Sequence, residues 1–288
     1  MTSFYSKWMV YALITTVFWG IWGAFIEIPE KAGFPATLGY VMWSLSMIPC
    51  ALYAMNKVSW SLNYNIKSLG LGMAVGLSGA GGQLLLFQAL REGPAYVVFP
   101  LISLFPICTI LLSFIFLREK ANVKQWIGIV LALVAIFFLS YQPAGDGMGS
   151  SVTWLYLALL VFVLWGIQGF VMKFSNNSMN AESIFFYMMI TSVMLSPVAL
   201  LMTDFSQPIY TGFKGPYLAF GIHLLNSIGA LALVYALRYG KAIVVVPMTG
   251  LSPIITVVIS LILYGVVPSV GITLGVGLAM VAIYLLSE

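Results

Sequence analysis

The sequence predicts an all-α integral membrane protein with ten transmembrane helices, arranged as two inverted five-helix repeats. Three observations carry this. First, 61% of the 288 residues are hydrophobic, only 7% are charged, and the mean hydropathy is +1.05. A soluble domain carries about 25% charged residues, so this chain lacks the polar surface to face water. Second, its apolar residues gather into runs close to the roughly 20 residues a helix needs to cross a hydrocarbon core about 30 Å thick. Third, the second half of the chain repeats the first at a shift of 146–147 residues.

Broken at charges and turn residues, the runs are 8–27, 36–55, 68–90, 95–116, 123–141, 152–173, 182–203, 215–237, 242–264 and 267–286. The first contains Trp19 and Trp22 and has no small-residue cleavage site, so it reads as a span and not as a cleavable signal peptide. The third is rich in glycine: Gly72, Gly76, Gly79 and Gly82 let another helix approach closely. The fourth carries Pro100 and Pro106, and the ninth carries Pro247 and Pro253. Most connections are short. The longest is QPAGDGMGSS (142–151), within which residues 143–151 form a linker between a first repeat at 1–142 and a second at 152–288.

Ten spans place both termini on one side. With that side cytoplasmic, the inner segments hold Lys7, Lys57, Lys67, Arg118, Lys120, Lys124, Lys173, Arg238 and Lys241. The outer segments hold only Lys31, Arg91 and Lys214. The excess of basic residues inside predicts that both termini are cytoplasmic. The basic residues are scattered in short loops, which argues against nucleic acid as a partner. Cys50 and Cys108 lie inside apolar runs and read as small buried hydrophobes, implying neither a disulfide nor a metal site.

The repeat is clearest where LREGPAYVVFPLISLFPICTILLS (90–113) aligns with LRYGKAIVVVPMTGLSPIITVVIS (237–260). Pro100 matches Pro247, Pro106 matches Pro253, and Thr109 matches Thr256. GIVLALVAIFFLS (128–140) aligns with GVGLAMVAIYLLS (275–287), and FWGIWGAFIE (18–27) with LWGIQGFVMK (164–173). Five spans per half is an odd number, so the second half is inverted in the membrane. Inverted repeats are a hallmark of secondary transporters, whose solute site lies near the midplane between the halves. A proline inside such a helix is tolerated where neighbours or a water-filled cavity satisfy the freed carbonyls. The two proline pairs therefore predict kinked helices lining a central cavity.

Polar groups within spans are functional candidates by default. Gln83 lies one turn beyond Gly79, and His223 and Asn226 align with Gly76 and Gly79. These three are expected to face the central axis. His223 is the chain's single histidine. Its residue type suits a proton carrier, although a neutral, hydrogen-bonded structural role is the commoner one. Trp19 and Trp165 sit at mid-depth, where interfacial belts do not explain tryptophan, and are expected to wall the cavity. Gln168 replaces Trp22 at the matching position, so the halves offer different chemistry there. Ser103 and Thr249, each between a proline pair, complete the candidate solute-binding set. Glu27 and Lys173 form a pseudo-symmetric pair expected at opposite ends of the bundle, as vestibule or gate charges or as snorkelling side chains.

The FWG near the start, the run LREGPA…P…P…LREK ending at Lys120, and QWIGIVLALVAIFFLS together resemble the drug/metabolite transporter superfamily, in its ten-span bacterial EamA-like branch. The likeness covers nearly the whole chain. It departs at Glu119, which closes the fourth span, because the second half has LYGVVPS with no acid at that place. The resemblance implies export of amino acids or other metabolites across a bacterial cytoplasmic (inner) membrane.

These readings converge on a secondary transporter for a small neutral or zwitterionic organic metabolite, such as an amino acid, with membrane lipids around it. No enzyme activity, cofactor or metal is expected, and the sequence does not specify an oligomeric state beyond being compatible with a monomer. The alternative is a flippase or an intramembrane enzyme acting on a lipid-linked substrate. The enzyme would need clustered acid–base or metal-binding residues in the spans. A channel would need rings of carbonyls or charges at a constriction.

Overall fold

A computed structural model describes residues 2–92, 98, 101–140, 153–264 and 269–287. Pro100 and the 143–151 linker lie outside the described residues. Those residues form helices and connecting turns, with no strand among them.

In chain order the helices are α1 (Thr2–Phe25), α2 (Glu27–Lys31), α3 (Ala36–Lys57), α4 (Ile66–Glu92), α5 (Pro106–Phe116), α6 (Val123–Ser140), α7 (Thr153–Ser175) and α8 (Ala181–Leu201). There follow a π-helical turn (Phe213–Tyr217), α9 (Leu218–Tyr239), α10 (Ala242–Thr249), α11 (Pro253–Tyr264) and α12 (Val270–Ser287). Where their residues are described, the ten expected runs fall on apolar helical stretches. Among the described residues, however, seven stretches are candidates by length and composition to cross a membrane. Leu101–Phe116, Val123–Leu139 and Val270–Leu286 are shorter, so the expected count of ten is reached only if these three also cross.

Local chemistry sets several of the boundaries. The short helix α2 ends at a turn where Gly33 adopts φ +96°, a left-handed conformation open to glycine without Cβ strain. Asn180 caps α8, its side-chain oxygen accepting from the Ser183 N–H at 2.7 Å. Pro106 and Pro253 are the first residues of α5 and α11, where the missing proline N–H costs nothing. The expected kinks are short interruptions across which backbone i→i−3 and i→i−4 bonds continue. The chain turns at residues 104–105 before α5 and at 250–252 before α11, and those two places are aligned in the internal repeat. Pro247 lies within α10.

The helices pack across the chain's midpoint in matched pairs. α4 packs on α7, and α1 on α9. α3 lies against α8 and α9, while α4 lies against α8. α6 pairs with α12, and α5 with both α7 and α10. Hydroxyl pairs stitch α3 to its neighbours: Ser44 to Ser196 at 2.7 Å, Ser46 to Ser227 at 2.8 Å, and Thr37 to Thr203 at 2.8 Å. With lipid tails as apolar as leucine, close packing and such bonds hold membrane helices together.

Candidate functional site

Between these paired helices lies a cavity of about 290 Å³. Trp19 and Trp22 of α1, Trp43 of α3 and Trp165 of α7 all line it. So do Gln83 of α4, Gln168 of α7 and Asn226 of α9. The two helix breaks contribute Ser103 and Phe105 from one repeat, and Thr249, Gly250 and Ser252 from the other.

The indoles are held by bonds that come in matched pairs. Trp19 donates from Nε1 to the Asn226 carbonyl at 3.2 Å, and Trp165 donates to the Gly79 carbonyl at 3.3 Å. In the internal alignment Asn226 is the partner of Gly79, and Trp19 of Trp165. Glycine makes the seats: a Cβ at Gly229 would stand 2.5 Å from the Trp19 ring, and a Cβ at Gly82 would stand 2.5 Å from Trp165 Nε1. Next to them, Thr109 donates to the Gly166 carbonyl at 2.8 Å, and Thr256 to the Gly20 carbonyl at 2.9 Å. Each threonine hydroxyl fills the space of an absent Cβ, at Gly169 and Gly23 respectively.

Seven of the eight candidate solute-binding residues therefore meet at one cavity: Trp19, Gln83, Ser103, Trp165, Gln168, Asn226 and Thr249. His223 does not line it. It is buried, and its Nδ1 accepts from Trp22 Nε1 at 3.1 Å, so Trp22 and not the imidazole presents to the cavity. That bond fixes the neutral tautomer with the proton on Nε2. A structural acceptor role predicts that His223→Gln, which offers an amide oxygen, keeps transport and its response to a pH gradient. His223→Leu strands the Trp22 N–H, costs about 1–3 kcal/mol, and lowers both melting temperature and uptake. Loss of the pH response in His223→Gln would instead restore the proton-carrier role.

Glu27 and Lys173 also lie away from the lining. Glu27 is exposed beyond the end of α1 and pairs with Lys31 at 2.5 Å. Lys173 caps α9: its Nζ donates to the carbonyls of Leu237 at 2.9 Å and Gly240 at 2.6 Å. A cation there satisfies orphan carbonyls at the negative end of the helix. At the same end of the bundle Glu119 accepts from the Ile243 N–H at 3.1 Å, at the start of α10. Burial pushes the Glu119 carboxyl up, against the opposing pull of the Ile243 and Ala242 N–H groups and of Lys173 and Lys241. Arg238 donates to the carbonyls of Asn176 and Met179 at 2.7 Å each. Between this end and the cavity, Leu237, Ile243, Val244 and Val245 are buried. Lys173→Met is expected to lower stability by about 2 kcal/mol through the two lost charge-assisted bonds, read as a fall in melting temperature in detergent.

Trp22, Trp43 and Ser252 were not among the sequence candidates. Trp43 donates from Nε1 to Asn226 Oδ1 at 2.8 Å, so it orients the amide that the sequence did single out. Its position inside the second span carried the same mid-depth signal as Trp19. Among the described residues, no group of three or more His, Cys, Asp or Glu side chains is placed to hold a metal ion.

Comparison with known proteins agrees with this architecture. A protein of known crystal structure superposes on 97% of this chain and 96% of its own with a TM-score of 0.76, at 13% sequence identity, a likeness of fold alone. Over 59 residues, 20% of this chain and 43% of the relative, the sequence is 48% identical to the uncharacterized protein MJ1333.1 of Methanocaldococcus jannaschii. Over 202 residues, 67% of this chain and 56% of the relative, it is 23% identical to CMP-sialic acid transporter 2 of Oryza sativa. The chain thus spans about half the length of the curated relatives it matches. The sequence model of the EamA-like transporter family matches twice, over residues 6–141 and again over 152–288. Matched along nearly all of its length in this way, the chain belongs to the EamA-like transporter family, within the drug/metabolite transporter superfamily.

Proposed function

We propose that this family member is a secondary transporter, moving a small neutral or zwitterionic organic metabolite across the cytoplasmic membrane by alternating access. Ten spans form two inverted repeats, 1–142 and 152–288, joined at 143–151, with both termini in the cytoplasm. The observation that carries the reading is the cavity between them, walled by Trp19 and Trp165 through equivalent bonds into the opposite repeat. A site built from two related surfaces can be exposed to either side as one repeat rocks against the other. The helix breaks before Pro106 and Pro253 line it, as irregular backbone at membrane depth does where it borders a cavity. The direction proposed is export.

The bundle end that carries Lys173, Arg238 and Glu119 is the cytoplasmic one on this reading. Glu27, at the other end, stands in the outer vestibule. On the same reading the buried side chains of Leu237, Ile243, Val244 and Val245 stand on the cytoplasmic side of the cavity.

Uptake into proteoliposomes tests the proposal, using labelled amino acids, nucleobases, nucleosides and sugars. Saturable uptake of one class, abolished by heat-denaturing the protein, is the expected result. Uptake that rises linearly with concentration would indicate a channel. Silence across the panel from folded protein would count against a small polar solute and favour a lipid-linked substrate.

A further inference from the structure

We infer that the cavity binds an uncharged, planar heterocycle with adjacent hydrogen-bond donor and acceptor atoms, the chemistry of a nucleobase. This rests on the transporter reading and narrows it, because it excludes zwitterions and phosphate esters.

Among the described residues, no Lys, Arg, Asp, Glu or His side chain lines the cavity. The sequence from 93 to 100, which follows α4, carries no charged residue either. A carboxylate or phosphate could still be held by free N–H groups at a helix start. Those groups are already used at both breaks. The N–H groups of Gly250, Leu251, Ser252, Ile254 and Ile255 all bond to carbonyls of their own segment. At the other break those of Leu104, Phe105, Ile107, Cys108 and Thr109 do the same. Among the described residues, a buried anion at either place would meet no compensating charge and none of these N–H groups free, and burying an unpaired ion is strongly unfavourable. The CMP-sialic acid transporters of rice, by their name, move a solute that carries such groups.

All four indole N–H groups are bonded to protein: Trp19 to the Asn226 carbonyl, Trp22 to His223, Trp43 to Asn226 Oδ1 and Trp165 to the Gly79 carbonyl. What these rings offer a solute is therefore carbon surface, on which flat heterocycles stack. Polar recognition is left to the amides. Asn226 uses its oxygen on Trp43, so its NH₂ remains as a donor. The Gln83 and Gln168 amides make no hydrogen bond within the described residues, and a primary amide pairs in two places with a base edge that has a donor beside an acceptor. The volume of about 290 Å³ sits at the low end of ligand pockets, which suits one ring system more than an extended conjugate.

Binding to the purified full chain in detergent tests this separately from transport. Tryptophan emission and melting temperature would be followed during titration with adenine, hypoxanthine, uracil, phenylalanine, tryptophan, choline and CMP. The expected result is saturable quenching and thermal stabilisation by the nucleobases, with no effect of CMP, choline or the amino acids. Gln168→Leu and Gln83→Leu should each weaken nucleobase binding at least tenfold while leaving the melting temperature of the unliganded protein close to that of the original. Stronger binding of an amino acid, of choline or of CMP than of any nucleobase would overturn the inference, as would no binding of any nucleobase. Nucleobase binding without uptake would leave the inference standing and remove the transporter reading. Uptake of amino acids without nucleobase binding would do the reverse.

Discussion

Trp165→Ala and Trp19→Ala are each expected to lower transport at least 100-fold in protein that still folds. Each indole belongs to one repeat and bonds to a carbonyl of the other, at 3.3 Å for Trp165 and 3.2 Å for Trp19. Alanine removes a cavity wall and a bond across the seam in one step. Truncating a fully buried tryptophan costs about 3–5 kcal/mol. These rings already border empty space, so a cost nearer 2–3 kcal/mol is expected by the same reasoning. Phenylalanine keeps the ring face and loses only the N–H bond, worth about 1 kcal/mol. Trp165→Phe should therefore retain most of the stability and a measurable fraction of the transport. Thermal melts and size-exclusion profiles, run beside uptake, separate lost function from lost fold. Full activity in folded Trp19→Ala protein would remove that residue from the site.

Gly82→Ala and Gly229→Ala are the second pair of large effects, and each has an internal control. A Cβ at either position would stand 2.5 Å from an atom of a tryptophan ring. The indole must then leave its carbonyl partner or push into the cavity. Overpacking of this kind costs about 1–3 kcal/mol, and transport should fall at least tenfold because the wall moves. A Cβ at Gly81 or at Gly221 meets nothing within 4 Å. Alanine there is expected to be neutral, or stabilising by up to about 1 kcal/mol through helix propensity, with transport unchanged. Equal losses at Gly81 and Gly82 would show that glycine acts through the backbone and not as a seat for tryptophan.

Much of this architecture was legible in the sequence because both periodicity and repetition wrote it twice. The shift that matches Pro106 with Pro253 also matches Thr109 with Thr256, and those threonines make equivalent bonds to Gly166 and Gly20. Mid-depth tryptophan and the glycine-rich third span pointed to walls and seats that do meet at one cavity. Span length was less legible. Hydropathy does not register where the backbone tightens ahead of Pro106 or Pro253, so the sequence places a kink in each apolar run without giving its geometry. His223 was misplaced because aligning it with Gly76 gives its face of the helix and not its depth behind a neighbour. The distance from His223 to the cavity is set by Trp22, on a helix about 200 residues away in sequence. Lys173 was visible as a charge at a span end, but its carbonyl partners at Leu237 and Gly240 are tertiary and left no local mark.

On the proposed reading the cavity between the two repeats is the exchange site of a carrier. Counterflow in proteoliposomes separates such exchange from simple leakage. Liposomes would be loaded with an unlabelled panel member at high concentration and diluted into a trace of the same labelled compound. A carrier exchanges the label inward faster than the unlabelled pool drains, so the internal label should overshoot equilibrium and then decay. The original protein is expected to show that overshoot, with Gly81→Ala matching it and Trp165→Ala showing none. A rise to equilibrium without overshoot, or an overshoot undiminished in folded Trp165→Ala protein, would contradict the account.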